Sequence, residues 1–260
     1  MKHEEYERMY RFEDRYWWFV ARRHLITSLL ETQYERTGKL RILDIGCGTG
    51  KMLDDLKPFG EVIGADFSPE ALQFCVTRGV PAELARADVR RLPFADSSFD
   101  VVTAMDIIEH IDDDKAASSE IFRVLKPGGR LLVTVPAFPS LWSEHDDALH
   151  HYRRYTSPRL KDLFQRVGLH VEKISYTVTT LFVPIWIFRQ ISNLLPQKRT
   201  DGEKKANLIN FSGPVNQALL SLSQWETRLL QTLSLPFGVS VVCIAHKPDT
   251  ENSVQKAPAP

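Results

Sequence analysis

LRILDIGCGTG (residues 40–50) is an apolar run that ends in an acid and then in glycines at alternate positions. A short apolar run entering such a turn reads as a buried parallel strand feeding a tight loop. Closely spaced glycines let the backbone reverse and let a ligand approach atoms that a Cβ would screen. The next strand, VIGADFS, carries Asp66, 20 residues beyond Gly46, where a carboxylate can accept both hydroxyls of a ribose. An adenosine-bearing ligand is therefore expected. A dinucleotide fingerprint would read G-x-G-x-x-G and set a pyrophosphate on a helix N-terminus. Here the spacing is G-x-G-x-G, and Asp44 stands two residues before the first glycine. That carboxylate repels a pyrophosphate and suits an ammonium group, which favours S-adenosylmethionine over NAD.

Strand and helix patterns alternate on from this turn. A helix is predicted over 51–57 and a strand over 61–66. Ser68, Pro69 and Glu70 then supply a cap and a first turn for the next helix. Further strands are read at 82–87, FDVVTAMD and RLLVTVPA, with a helix over about 114–125 and a helix stop and turn at Lys126–Gly129. Helix 157–167 closes at Gly168 and leads into LHVEKISYTV; the last strand, GVSVVCIAHK, follows some sixty residues later. Repeated strand–crossover–strand units imply a mostly parallel sheet covered by helices on both faces, with binding at the carboxyl ends of the strands.

These motifs together, LDIGCGTG, VIGADFS, ADVRRLPFADSSFDVV, MDIIEHI and LKPGGRLLVTVP, resemble a class I S-adenosylmethionine-dependent methyltransferase over roughly residues 40–175. The resemblance implies an α/β, Rossmann-like, seven-stranded, mostly parallel sheet with an antiparallel last strand. It also implies a cofactor site in which Gly46, Gly48 and Gly50 pass under the methionine moiety and Asp66, with Phe67 beside it, binds the ribose. Asp88 and Val89 would flank the adenine, and Met105 would lie near the end of the fourth strand. Glu109 and His110 resemble a pair common in the small-molecule branch of the family. The N-P-P-Y type tetrad of nucleic-acid amino-methylating enzymes is replaced by MDII.

Around this core the sequence predicts an N-terminal helical cap (1–38), rich in aromatic residues, and an S-adenosylmethionine-binding domain (39–247). A helical insertion is expected at 178–238 and a polar, disordered tail at 248–260. In the insertion, Ala218, Leu219, Leu222, Trp225, Leu229 and Leu233 recur at helical spacing and predict one apolar face. Packing over the cleft, an apolar acceptor pocket and peripheral membrane contact through 178–235 all remain open there. The basic residues Arg189, Lys198, Arg199, Lys204 and Lys205 suit phosphate or an anionic bilayer.

The segment WSEHDDALHHYRRYT (142–156) follows the fifth strand and should overhang the cleft. His145, His150 and His151 are candidate bases for a hydroxyl acceptor, and Arg153, Arg154 and Tyr155 are candidate acceptor contacts. No zinc spacing fits, and no metal is expected.

Composition narrows the function further. Lys and Arg (33) balance Asp and Glu (33), so no global field draws the chain to nucleic acid, and no nucleic-acid partner is expected. The three cysteines are widely spaced without a C-x-x-C pair, which suits a reducing compartment. The charged N-terminus lacks a signal-peptide apolar run. The uncharged stretch 174–188 has 15 residues, short of the ~20 that a spanning helix needs. A cytoplasmic protein is expected, acting on a small-molecule or lipid-linked acceptor. The rival readings are a non-catalytic cofactor-binding or scaffold protein and a nucleotide-dependent oxidoreductase.

Overall fold

The computed structural model describes residues 3–80, 82–194 and 211–249. The chain runs α1 (His3–Phe12), α2 (Trp17–Glu31), β1 (Leu40–Ile45), α3 (Lys51–Leu56), β2 (Gly60–Asp66), α4 (Pro69–Arg78), β3 (Glu83–Arg86) and β4 (Phe99–Met105). It continues with α5 (Asp114–Val124), β5 (Leu125–Pro136), α6 (Glu144–Ala148), α7 (Ser157–Arg166), β6 (His170–Thr177), α8 (Phe182–Leu194), α9 (Gly213–Thr232) and β7 (Ser240–His246). The expected tail beyond residue 249, and Lys198, Arg199, Lys204 and Lys205 of the insertion, lie outside the described residues.

Among the described residues, seven strands form one sheet in the order β3-β2-β1-β4-β5-β7-β6. All pairs are parallel except those of β7, which runs antiparallel to both β5 and β6. This is the expected Rossmann-like methyltransferase sheet with its antiparallel last strand. Strand side chains alternate between two buried layers, as a period of two requires. Leu43, Val102, Leu131 and Val133 pack with Ile121 of α5 and Phe164 of α7 on one face. On the other face Ile42, Val101, Leu132 and Val242 meet Ile26 and Leu29 of α2 and Leu53 of α3. Both faces being covered explains why these strands are apolar almost throughout.

Helix ends follow local chemistry. The Ser68 hydroxyl accepts from Ala71 N (3.3 Å) ahead of Pro69, and the Asp113 carboxylate accepts from Ala116 N (2.9 Å) at the start of α5. Lys126–Gly129 differs from expectation. Strand β5 begins at Leu125, directly after α5, and the glycines form an irregularity within it: pairing shifts from Phe99↔Leu125 to Val101↔Arg130. A Cβ on Gly129 would stand 2.8–3.2 Å from the carbonyl oxygens of Lys126, Phe99 and Asp100, so only glycine lets the two backbones approach.

The apolar stripe of α9 is only partly buried, with Leu219, Leu222 and Leu229 half-covered. Trp225 and Leu233 are 53% and 54% exposed, and the helix buries Glu226, Thr227 and Leu230 instead. Polar anchors set this rotation. The Glu226 carboxylate accepts the backbone N–H groups of Val178, Thr179 (2.9 Å) and Thr180 (3.3 Å), just after β6. Asn216 accepts from Trp17 N and donates to Arg15 O, both at 2.9 Å, so α9 lies along α2. Helix α8 contacts the 3₁₀ turn Pro139–Leu141 through Arg189 to Leu141 O and Gln190 to Ser140 O (3.0 Å).

Replacing Glu226 with Ala leaves those N–H groups unpaired and should lower stability by about 1–3 kcal/mol, whereas Trp225→Ala should stay within about 0.5 kcal/mol. Urea unfolding of the two variants measures the difference, and equal effects would contradict the anchoring role.

Candidate active site

A cavity of about 800 Å³ opens at the carboxyl ends of β1, β2 and β4, where the strand order reverses. Gly46 and Gly48 line it with left-handed backbone (φ 68° and 55°). Gly48 N donates to one oxygen of Asp66 (3.0 Å) and Ser68 N to the other (2.8 Å). Burial raises the Asp66 carboxyl pKa, and these two backbone donors oppose the rise. Asp44, at the end of β1, is 1% exposed and accepts from Thr103 Oγ1 (2.6 Å). Its Oδ2 has no partner among the described residues, and burial pushes its pKa up to about 7.

Val89 and Met105 also line the cavity, and Phe67 stands exposed at its rim. Asp88 lines it too, but its carboxylate is gripped by Arg90 through Nε (3.1 and 3.2 Å) and Nη2 (2.7 Å), which lowers its pKa. Gly50 is outside the lining; it caps α3, and a Cβ there would meet Cys75 Sγ at 2.9 Å.

The sequence predicts a helical cap at 1–38 but does not show which surface it covers. Helix α1 lies over the glycine turn, with Glu5, Tyr6 and Met9 forming a wall of the cavity. A Cβ on Gly48 would stand 2.5 Å from Met9 Cε, so a side chain there collides with the protein itself. Buried Glu13 follows α1 and binds both Thr49 Oγ1 and the Arg78 guanidinium, while Arg78 also lies 4.5 Å from the Tyr10 ring centre. Arg22 of α2, likewise unforeseen, pairs with Asp106, which also accepts from Thr134 Oγ1 (2.9 Å).

At the opposite end, Glu109 and His110 sit on the 3₁₀ turn Ile108–His110 and meet the 142–156 segment. Glu109 is fully buried and neither carboxylate oxygen has a partner among the described residues. Burial, helped by Asp106, raises its pKa well above the usual range. His110 and His151 meet edge to face with ring centres 4.5 Å apart. Burial, reinforced by His151, lowers His110 to about 4; burial also lowers His145, on α6, to about 4. His150 is exposed at the mouth, with φ 57°.

The two arginines are engaged internally. Arg154 donates through Nε and Nη2 to both oxygens of fully buried Asp146 (2.7 and 3.0 Å) and through Nη1 to Ala137 O (3.0 Å). Asp146 also receives His151 Nδ1 (2.9 Å) and Ser143 N (2.9 Å). Burial opposes the charge, yet His151 and Arg154 hold the Asp146 carboxyl well below its usual range. Arg153 pairs with Asp114 (2.6 Å), and the buried Tyr155 hydroxyl donates to the same carboxylate (2.8 Å). Arg153 and Tyr155 are not part of the cavity lining, whereas Arg154 and Arg189 are. In EHDDALHH nothing distinguishes Asp146 from Asp147, so its central position was not legible.

Removing Arg154 strands a buried carboxylate, and Arg154→Ala should cost about 3–5 kcal/mol in urea unfolding. His145 titrates near 6.5 when unfolded and near 4 when folded, so between those values the unfolded chain binds more protons and stability falls with acidification. The stability of His145→Gln relative to the native chain should therefore increase as pH drops from 6.5 to 4; a constant difference would mean that His145 is not buried neutral.

A family model described as a methyltransferase domain matches residues 43–133, from β1 into β5. A demethylmenaquinone methyltransferase of Thermus thermophilus is 42% identical over 100 residues, 36% of this chain and 46% of that protein. A Mycolicibacterium smegmatis protein, named as a probable S-adenosylmethionine-dependent methyltransferase, is 31% identical over 163 residues, 62% of each chain. The chain thus spans about half the length of the curated relatives it matches. Among solved structures, a chain of the complex between the Haloferax volcanii Trm112 methyltransferase activator and a methyltransferase superposes with a TM-score of 0.60. It is 22% identical, with 95% of this chain and 94% of that one covered. Residues 43–133 accordingly match a methyltransferase domain, and the chain has the fold of the class I S-adenosylmethionine-dependent methyltransferases.

Proposed function

We propose that the chain transfers the methyl group of S-adenosyl-L-methionine to an oxygen or nitrogen of a small-molecule or lipid-linked acceptor. The observation that carries this reading is one continuous cavity with two chemically different ends: a glycine turn with two buried acids, and a cluster of glutamate and uncharged imidazoles. The first end fits the cofactor. Gly46 and Gly48 line the cavity beneath Ile107 and Met9, Asp66 offers carboxylate oxygens beside them, and the unpartnered Asp44 Oδ2 suits the ammonium of a methionine moiety. Val89 and Met105 supply apolar contact. When bound, the cofactor supplies an already activated sulfonium methyl, so the protein's tasks are to position the acceptor and exclude water.

At the second end His110 and His145 are held neutral, the state that accepts a proton or hydrogen bond from an acceptor hydroxyl. His151, oriented by Asp146, and His150 at the mouth are further candidates for this work. The demethylmenaquinone methyltransferases among the relatives support an acceptor with a lipid-like portion. So does α8, which exposes Val183, Ile187, Phe188 and Ile191 beside the cavity residue Arg189. Peripheral contact with a membrane surface from the cytoplasm fits that arrangement. Among the described residues no helix is long and apolar enough to cross a membrane.

Asp66→Ala should weaken S-adenosylmethionine binding by about 1–3 kcal/mol in calorimetric titration; unchanged affinity in a folded variant would remove Asp66 from the site. Asp44 adds a pH signature. Its folded pKa near 7 leaves it partly protonated at neutrality, and a cationic ligand favours the carboxylate. Binding should therefore release protons near pH 7, seen as a buffer-dependent enthalpy that disappears in Asp44→Asn, and affinity should rise between pH 6 and 8. Product mass spectra after incubation with a lysate and isotope-labelled cofactor would identify the acceptor.

A further inference from the structure

We infer that Glu109, His110 and His151 form a site for one divalent transition cation of the zinc class at the acceptor end of the cavity. The sequence conceals it, because Glu109-His110 and His151 are 41 residues apart and match no ligand spacing. The fold brings one ligand atom from each within 4.8 Å of the others. Atoms bound about 2.1 Å from a common ion stand no more than about 4.2 Å apart, so side-chain adjustments below about 1 Å would close the site.

Two further observations point to a ligand. Glu109 is fully buried with both oxygens unpartnered, an expense that native interiors avoid unless something else meets the carboxylate. His151 is held as metal-binding imidazoles are held: Nδ1 engages Asp146, itself fixed by Arg154 and Ser143, which leaves Nε2 for the cation. The bond from Tyr152 N to Glu109 O (2.8 Å) ties the two ligand-bearing segments together. The nearby guanidiniums of Arg22 and Arg154 are each neutralised by their own carboxylates, Asp106 and Asp146.

Two imidazoles and one carboxylate suit zinc, cobalt or iron better than magnesium, which prefers an all-oxygen shell. Three protein ligands leave a coordination position open toward the cavity. An acceptor oxygen held there would be oriented, and its hydroxyl made more acidic, while His145 remains as an uncoordinated base. That use of the cation rests on the methyl-transfer reading; the binding does not.

The full chain, prepared without a histidine tag and stripped with chelator, should bind one Co²⁺ with a visible ligand-field band that Zn²⁺ bleaches. Glu109→Gln and His151→Ala should each weaken Co²⁺ binding at least about tenfold, while His170→Ala, at the far sheet edge, should not. Zn²⁺ should raise the melting temperature of the native chain, and Glu109→Gln should abolish that rise without lowering the metal-free value. Absence of stoichiometric Co²⁺ binding in the native chain, unchanged affinity in both site variants, or loss in His170→Ala would each overturn the site. S-adenosylmethionine titration of the same samples checks folding and separates the two readings, since its failure in the native chain counts against methyl transfer alone.

Discussion

Strand order reverses between β1 and β4, and this reversal sends their crossover connections to opposite sides of the sheet. Neither crossover helix covers the gap between the diverging strand ends. Every feature of the candidate site is a response to it. The glycine turn after β1 and the acid after β2 form one rim, the 3₁₀ turn after β4 forms the other, and the long loop after β5 folds across the second. The N-terminal helices complete the enclosure, α2 against the sheet and α1 against the turn. A more uniform chain order would have closed the gap with packed helix and left no cavity.

The enclosure concentrates charge in a poorly solvated space. Asp146 remains ionised because Arg154, His151 and Ser143 all donate to it, whereas Asp44 and Glu109 lack such company and are displaced toward neutrality. The same burial acts in the opposite sense on the imidazoles. Acids that resist ionisation and bases that resist protonation therefore sit in a single pocket. That arrangement is costly for folding, and it is what marks this pocket as the candidate site.

The fold and the cleft at the glycine turn were legible because they follow local rules: apolar runs of strand length, a glycine turn, Ser68-Pro69 at a helix start and an acid at fixed spacing. What escaped depends on long-range partners. Arg153 and Arg154 look like an anion clamp, yet Asp114 and Asp146 already occupy them. The apolar spacing of α9 left the use of that face open, and it is three backbone donors near Val178 that recruit Glu226 and leave Trp225 outward. Lys126–Gly129 looked like a stop signal because glycines serve close strand approach as readily as turns. Composition revealed the histidines and Glu109 but not their convergence, which requires the loop after β5 to return to the turn after β4.

Helix α1 rests on Gly48 through Met9, and the chain just beyond it is latched by Glu13 to Thr49 and Arg78. Detachment of that wall is consequently a partial unfolding event with its own free energy, distinct from global stability. Substitutions at Tyr10 or Arg78, which do not line the cavity, therefore act on how often this short N-terminal segment detaches rather than on the lining itself.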